Sequence, residues 1–185
     1  MYHLVTDYFV NNNVNNPNEV NNQKQIFFLN LFLFWSVFAC TSQKDPDVII
    51  LKNLELIDSE GVTTTLNKDS NSIYFINFWA TWCKPCIEEM PSIKSLSHVF
   101  NHEISFFLLT YEDKDRLQKF EIKKNTELPL YTYSDEALLP EKFRKNVLPY
   151  TILIKNNQVI YEWTGATKWD SEKVIEIIKN KIQEN

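Results

Sequence analysis

Cys83 and Cys86 stand two residues apart in the stretch "FWATWCKPCIEEMP", with Lys84 and Pro85 between them. Two thiols at that spacing can close a disulfide, bind a metal or exchange electron pairs with other sulfurs. The preceding run "SIYFINFWA" is near-continuously apolar, as a strand buried on both faces is. From Lys84 onward Ile87, Met90, Ile93, Leu96 and Phe100 recur at helical spacing, to about Asn101. Cys83 is therefore expected at a helix N-terminus, where unpaired backbone N–H groups and the positive end of the dipole favour a thiolate. Such a setting lowers a cysteine from its free value of ~8.5 to between about 3.5 and 7.5. Lys84 adds positive charge, and Pro85 suits the first helical turn, which needs no amide hydrogen. One turn further on, Cys86 is placed as a resolving thiol. Reversible exchange then has a nucleophile, a mixed disulfide and a release step.

Other uses of the pair fit less well. A structural zinc site needs two more ligands from His3, His98, His102 and Cys40. His98 and His102 are i, i+4 and would lie about three turns beyond Cys86, facing solvent. A purely structural bridge over two residues constrains the unfolded chain little.

Composition narrows the rest. The chain has 185 residues, enough for one domain behind a leader, and its net charge of -5 comes without a basic run. No nucleic-acid surface is expected. Only Gly61 and Gly165 occur, which excludes glycine-rich phosphate loops.

The leader begins with an asparagine-rich extension, residues 1–23, read as a dispensable or mis-started segment, whose low-complexity stretch at 11–22 cannot pack a core. Lys24 then precedes an apolar run from Ile26 to Ala39. Fourteen residues span roughly 21 Å, short of the ~30 Å hydrocarbon core, so residues 24–40 read as an export signal. Its end, "VFAC", resembles a bacterial lipoprotein signal, although Phe38 is bulkier than usual there. The resemblance implies lipidation of Cys40, which also leaves the remaining two cysteines as a pair. Residues 41–47 form a polar tether and residues 48–185 the folded domain.

Within that domain "DVIILKNLELID" reads as extended, "SEG" as a turn and "VTTTL" as a return strand. "ISFFLLTYE" is a second buried strand. The helix after it is capped near Asp113, with Leu117, Phe120 and Ile122 on its apolar side. "LPLYTYSD" is a short strand and "ALLPEKFRKN" a short interrupted helix. "YTILI" and "QVIYEWTG" form a hairpin across "KNN", and an amphipathic helix from Ser171 closes the chain with Val174, Ile177 and Ile178 on one side. The order gives an α/β fold, a central mixed sheet flanked by helices with an N-terminal β-hairpin extension.

From Asp47 to the carboxy terminus the chain resembles the TlpA/ResA-like thiol-disulfide oxidoreductases of the thioredoxin superfamily. The likeness rests on "INFWATWCKPCIEEMP", on "VLPYTILI" and on "EWTG". It implies a thioredoxin-like fold with Cys83 as nucleophile and Cys86 as resolving cysteine. It also implies Glu89 as a carboxylate tuning thiol acidity and proton transfer. Pro149 would be cis, with Leu148 offering its backbone to an extended substrate and Trp82 exposed beside the first sulfur. Asn77 stands where thioredoxin has a buried aspartate, so no carboxylate acts from that position.

The implied activity is exchange or reduction of disulfides in exported proteins, including apocytochromes during haem attachment, without a cofactor. Partners would be client disulfides or thiols, a thiol-disulfide electron donor in the membrane, and the lipid itself through Cys40, in the cell envelope facing the periplasm or extracytoplasmic side. Two alternatives share the fold. A peroxiredoxin-like peroxidase would have a Thr-x-x-Cys setting, and Thr81 lacks that offset. A copper chaperone would use Cys-x-x-x-Cys with a later histidine, and none follows His102.

Overall fold

The computed structural model describes residues 45–66, 72–133, 138–145 and 147–184. Residues 1–44, with the signal segment and Cys40, lie outside the described residues. The elements are α1 (Pro46–Lys52), β1 (Leu56–Asp58), β2 (Thr63–Thr64), β3 (Ile73–Phe78), α2 (Lys84–Val99), β4 (Ile104–Thr110), α3 (Lys114–Lys124), β5 (Leu130–Tyr133), a 3-10 turn (Glu141–Phe143), β6 (Tyr150–Lys155), β7 (Gln158–Thr164) and α4 (Glu172–Gln183).

Seven strands form one mixed sheet in the order β2-β1-β5-β4-β3-β6-β7. β3, β4 and β5 run parallel, β6 lies antiparallel to β3, and β1–β2 is the N-terminal hairpin, pairing antiparallel with β5. β3 is central in the sheet and is covered on both faces, which is why its sequence is apolar at almost every position.

Alternation along β3 divides the core in two. Phe75 joins the layer under α2, α3 and α4, where Met90, Ile93, Leu96, Leu117, Phe120 and Ile178 pack together. Tyr74 and Ile76 face the opposite layer with Val48 and Leu51 of α1 and Phe143 of the 3-10 turn. Asn77 shares the parity of Phe75, so its amide points to the α2 side.

Three sequence expectations need correction. The start of "DVIILKNLELID" is helical. Asp45 caps α1 by accepting the Asp47 N–H at 3.0 Å, and Pro46 occupies the first turn. Ile122 is 79% exposed. It follows Leu117 by five residues, about 140° away on the helical wheel, so it cannot share that buried stripe. His102 lies in the turn after α2 with φ of 77°, not on a helical face with His98.

Other local signals hold. Asn156 and Asn157 both adopt positive φ in the β6–β7 turn, as a two-residue hairpin requires. Asp113 caps α3 by accepting the Arg116 N–H at 2.8 Å. Asp113→Ala is therefore expected to destabilise the fold by ~1 kcal/mol, read from the urea midpoint at unchanged m-value.

Candidate active site

Strand β3 ends beneath the first turn of α2, and the two cysteines bridge that junction. Cys83 is the N-cap of α2, its backbone extended and its Sγ accepting the Cys86 N–H at 3.3 Å. The two sulfurs form a disulfide, with Cα atoms 5.3 Å apart. Both cysteines are buried, as Pro85 takes up the first helical turn beside them. Lys84 points to water and pairs with Glu88 at 3.5 Å, so its charge is spent in an exposed pair rather than on the sulfurs.

Glu89 follows Cys86 by three residues, on the same side of the helix. It is 4% exposed, unlike its neighbour Glu88. Three donors hold its carboxylate. Asn77 Nδ2 reaches Oε1 at 2.9 Å, while the Thr167 N–H and Trp169 Nε1 reach Oε2 at 2.9 and 3.0 Å. Asn77 also donates to Thr151 Oγ1 at 2.8 Å across the β3–β6 pair in which the two residues are opposite. Burial raises the Glu89 carboxyl above its ordinary value, against the opposing pull of Thr167, Asn77 and Trp169.

The Leu148–Pro149 bond is cis, and the Pro149 carbonyl accepts the Gly165 N–H at 2.8 Å. Gly165 sits at φ of 86°, the conformation that lets β7 end there and the chain turn toward Trp169. Leu148 packs against the core layer that holds both cysteines. Trp82 is 63% exposed immediately before Cys83, whereas Trp79 is buried against Phe120. Cys83, Cys86, Glu89, Trp82, Leu148 and Pro149 therefore gather around the end of β3. Cys40 lies outside the described residues.

Two residues that sequence reasoning passed over complete the surroundings. Trp169, in the polar stretch "TKWD", is fully buried and supplies the Glu89 donor. Glu112, just after β4, is a second buried carboxylate and binds the turn before Cys83 through Thr81. A carboxylate directly following a buried strand was the available signal. An open groove of about 440 Å³ beside α2 is lined by Pro85, Glu89, Ser92 and Thr167, among others.

A mixed sheet with a Cys-x-x-Cys helix on one face and a cis-proline at the adjoining strand defines a thioredoxin-like protein. Residues 50–163 match the AhpC/TSA family. A thiol-disulfide oxidoreductase ResA of Geobacillus kaustophilus is 33% identical over 128 residues, covering 67% of this chain and 73% of the relative. The chain belongs to the AhpC/TSA family, among its ResA-like thiol-disulfide oxidoreductases. Solved structures agree in fold. A thiol:disulfide interchange protein from Bacteroides sp. superposes with a TM-score of 0.58 at 13% identity, over 71% of this chain and 86% of that one. The exposed lipoprotein thioredoxin Etrx1 of Streptococcus pneumoniae gives 0.57 at 15% identity, over 68% and 97%.

Proposed function

We propose that the protein reduces or exchanges disulfides in exported proteins of the cell envelope, through Cys83 and Cys86, while tethered to lipid by acyl chains on Cys40. The observation that carries the reading is the disulfide at the mouth of α2, with the buried Glu89 one turn behind it.

In the dithiol form the Cys83 thiolate attacks one sulfur of a client disulfide. That bond breaks, a mixed disulfide forms, and the client's second sulfur leaves as thiolate and takes a proton. Cys86 gives up its proton and attacks Cys83 Sγ, so the client sulfur held in the mixed disulfide departs as a thiolate and takes a proton, and the Cys83–Cys86 bond returns. The client gains two electrons and two protons. A membrane thiol-disulfide donor restores the dithiol by the same exchange in reverse.

Glu89 is suited to take and return the Cys86 proton. Its raised pKa brings it nearer neutrality, and the groove along α2 connects its flank to water. Leu148 and exposed Trp82 offer the extended client a backbone partner and an apolar contact. Apocytochromes awaiting haem attachment are the client class that the family resemblance suggests, and the anchored form accords with the Etrx1 lipoprotein among the fold neighbours.

The test is stoichiometric. Fully reduced protein mixed with a disulfide-bonded peptide should reduce one peptide disulfide per chain while its own pair closes. No peptide reduction, or consumption of hydrogen peroxide in preference to the peptide, would contradict the proposal.

A further inference from the structure

Beyond the sulfurs, Glu89 and the proline loop, the described residues include one other buried carboxylate tied to the site. Glu112 has a side chain only 3% exposed. Its Oε2 accepts the Thr81 N–H at 2.5 Å and the Thr110 hydroxyl at 3.3 Å. Its Oε1 accepts the Thr81 hydroxyl at 2.8 Å and Arg116 Nη1 at 3.1 Å. The Thr132 hydroxyl donates to the Glu112 carbonyl, so β4, β5, α3 and the loop before Cys83 all meet at this residue.

The contact falls on the turn that presents the first sulfur. Thr81 precedes Cys83 by two residues, about 7 Å of extended chain at most. The same turn is closed by the Cys83 N–H donating to the Ala80 carbonyl at 3.0 Å. We propose that Glu112 is a positioning residue for disulfide exchange: its carboxylate pins the Ala80–Trp82 turn and, as a buried negative charge, biases Cys83 against the thiolate. The helix dipole favours the thiolate, and Glu112 opposes it.

Arg116 sets how strong that opposition is. It is the cation paired with Glu112 among the described residues, and its side chain is 61% exposed, so it offsets the buried charge only in part. The other charges near Cys83 act less or differently. Lys84 is turned outward onto Glu88, and Glu89 lies deeper along α2 behind Cys86. A stabilised thiolate belongs to the dithiol state alone, so removing the Glu112 charge should move the dithiol–disulfide equilibrium toward the dithiol. This role rests on the proposed exchange chemistry of Cys83, but its readouts need no client.

The experiment uses the whole chain, first reduced, with iodoacetamide and glutathione as probes. In Glu112→Gln, Cys83 should alkylate about threefold faster or more at neutral pH, with the glutathione equilibrium shifted at least about threefold toward the dithiol. In Arg116→Ala, which leaves the carboxylate without its cation, both readouts should move the opposite way. A purely structural residue would lower the melting temperature and leave the sulfurs alike in both variants. Unchanged reactivity and equilibrium, or shifts of the same sign in the two variants, would overturn the proposal. Sulfurs that respond with opposite signs in a protein that reduces no peptide would uphold the role of Glu112 and overturn the functional reading instead.

Discussion

Cys83→Ser should abolish disulfide reduction, lowering the rate by about a thousandfold or more, because serine is no nucleophile toward sulfur under these conditions. Cys86→Ser should have a different phenotype. Its first step survives, since Cys83 keeps its place as the N-cap of α2. Its second step is lost, so mixed disulfides with clients should accumulate on Cys83 and be visible by mass spectrometry on non-reducing samples. The asymmetry follows from position, as Cys83 is the N-cap at the open end of α2 whereas Cys86 lies inside its first turn. Trapping by Cys83→Ser instead of Cys86→Ser would reverse the assigned order of attack, and equal trapping by both would abolish it.

The second large effect is expected at Glu89. Glu89→Gln keeps the shape but removes the ionisable proton carrier, and the rate of client release should fall by about a hundredfold. The variant should also lose a pH dependence present in the wild type. Burial raises the Glu89 carboxyl in the folded chain above its unfolded value. Between those two values the folded state binds the proton more tightly, so stability falls as pH rises through that window and levels off above it. Urea denaturation across pH 4 to 8 would show this fall in the wild type and a flatter profile in the variant. A Glu89→Gln protein with unchanged release rate and an unchanged profile would make the buried carboxylate a bystander.

Much of this arrangement was legible because it is written locally. A buried strand, a cysteine and an amphipathic helix in succession place Cys83 at a helix mouth whatever surrounds them. Asn156 and Asn157 declare their hairpin in the same way. The helix α1 was misread as extended from its β-branched "VII", although Asp45 and Pro46 just before it form the cap and first turn of a helix. Burial of Val48 and Leu51 against the sheet settles that competition, and strand propensity cannot see it.

The polar lining of the site was less accessible. Spacing from Cys86 singles out Glu89 over Glu88, but not the donors that hold it, which come from Asn77 in β3 and from Thr167 and Trp169 far along the chain. Glu112 meets Thr81 across 31 residues of sequence. Such partners exist only after the sheet has brought β4 beside β3 and the last loop back over α2. Chemistry carried by a motif was readable, whereas the groups that tune it depend on tertiary contact.

The claim on which the account rests is that Cys83 and Cys86 interconvert between dithiol and disulfide as a single two-electron couple. Equilibrating the protein with graded ratios of reduced to oxidised dithiothreitol or glutathione, then counting free thiols after acid quench and alkylation, tests this directly. The expected result is one reversible transition in which both thiols of the pair appear together, with a slope of about 30 mV per tenfold change in ratio. A pair that stays closed until the protein unfolds, or thiols that appear one at a time, would contradict it.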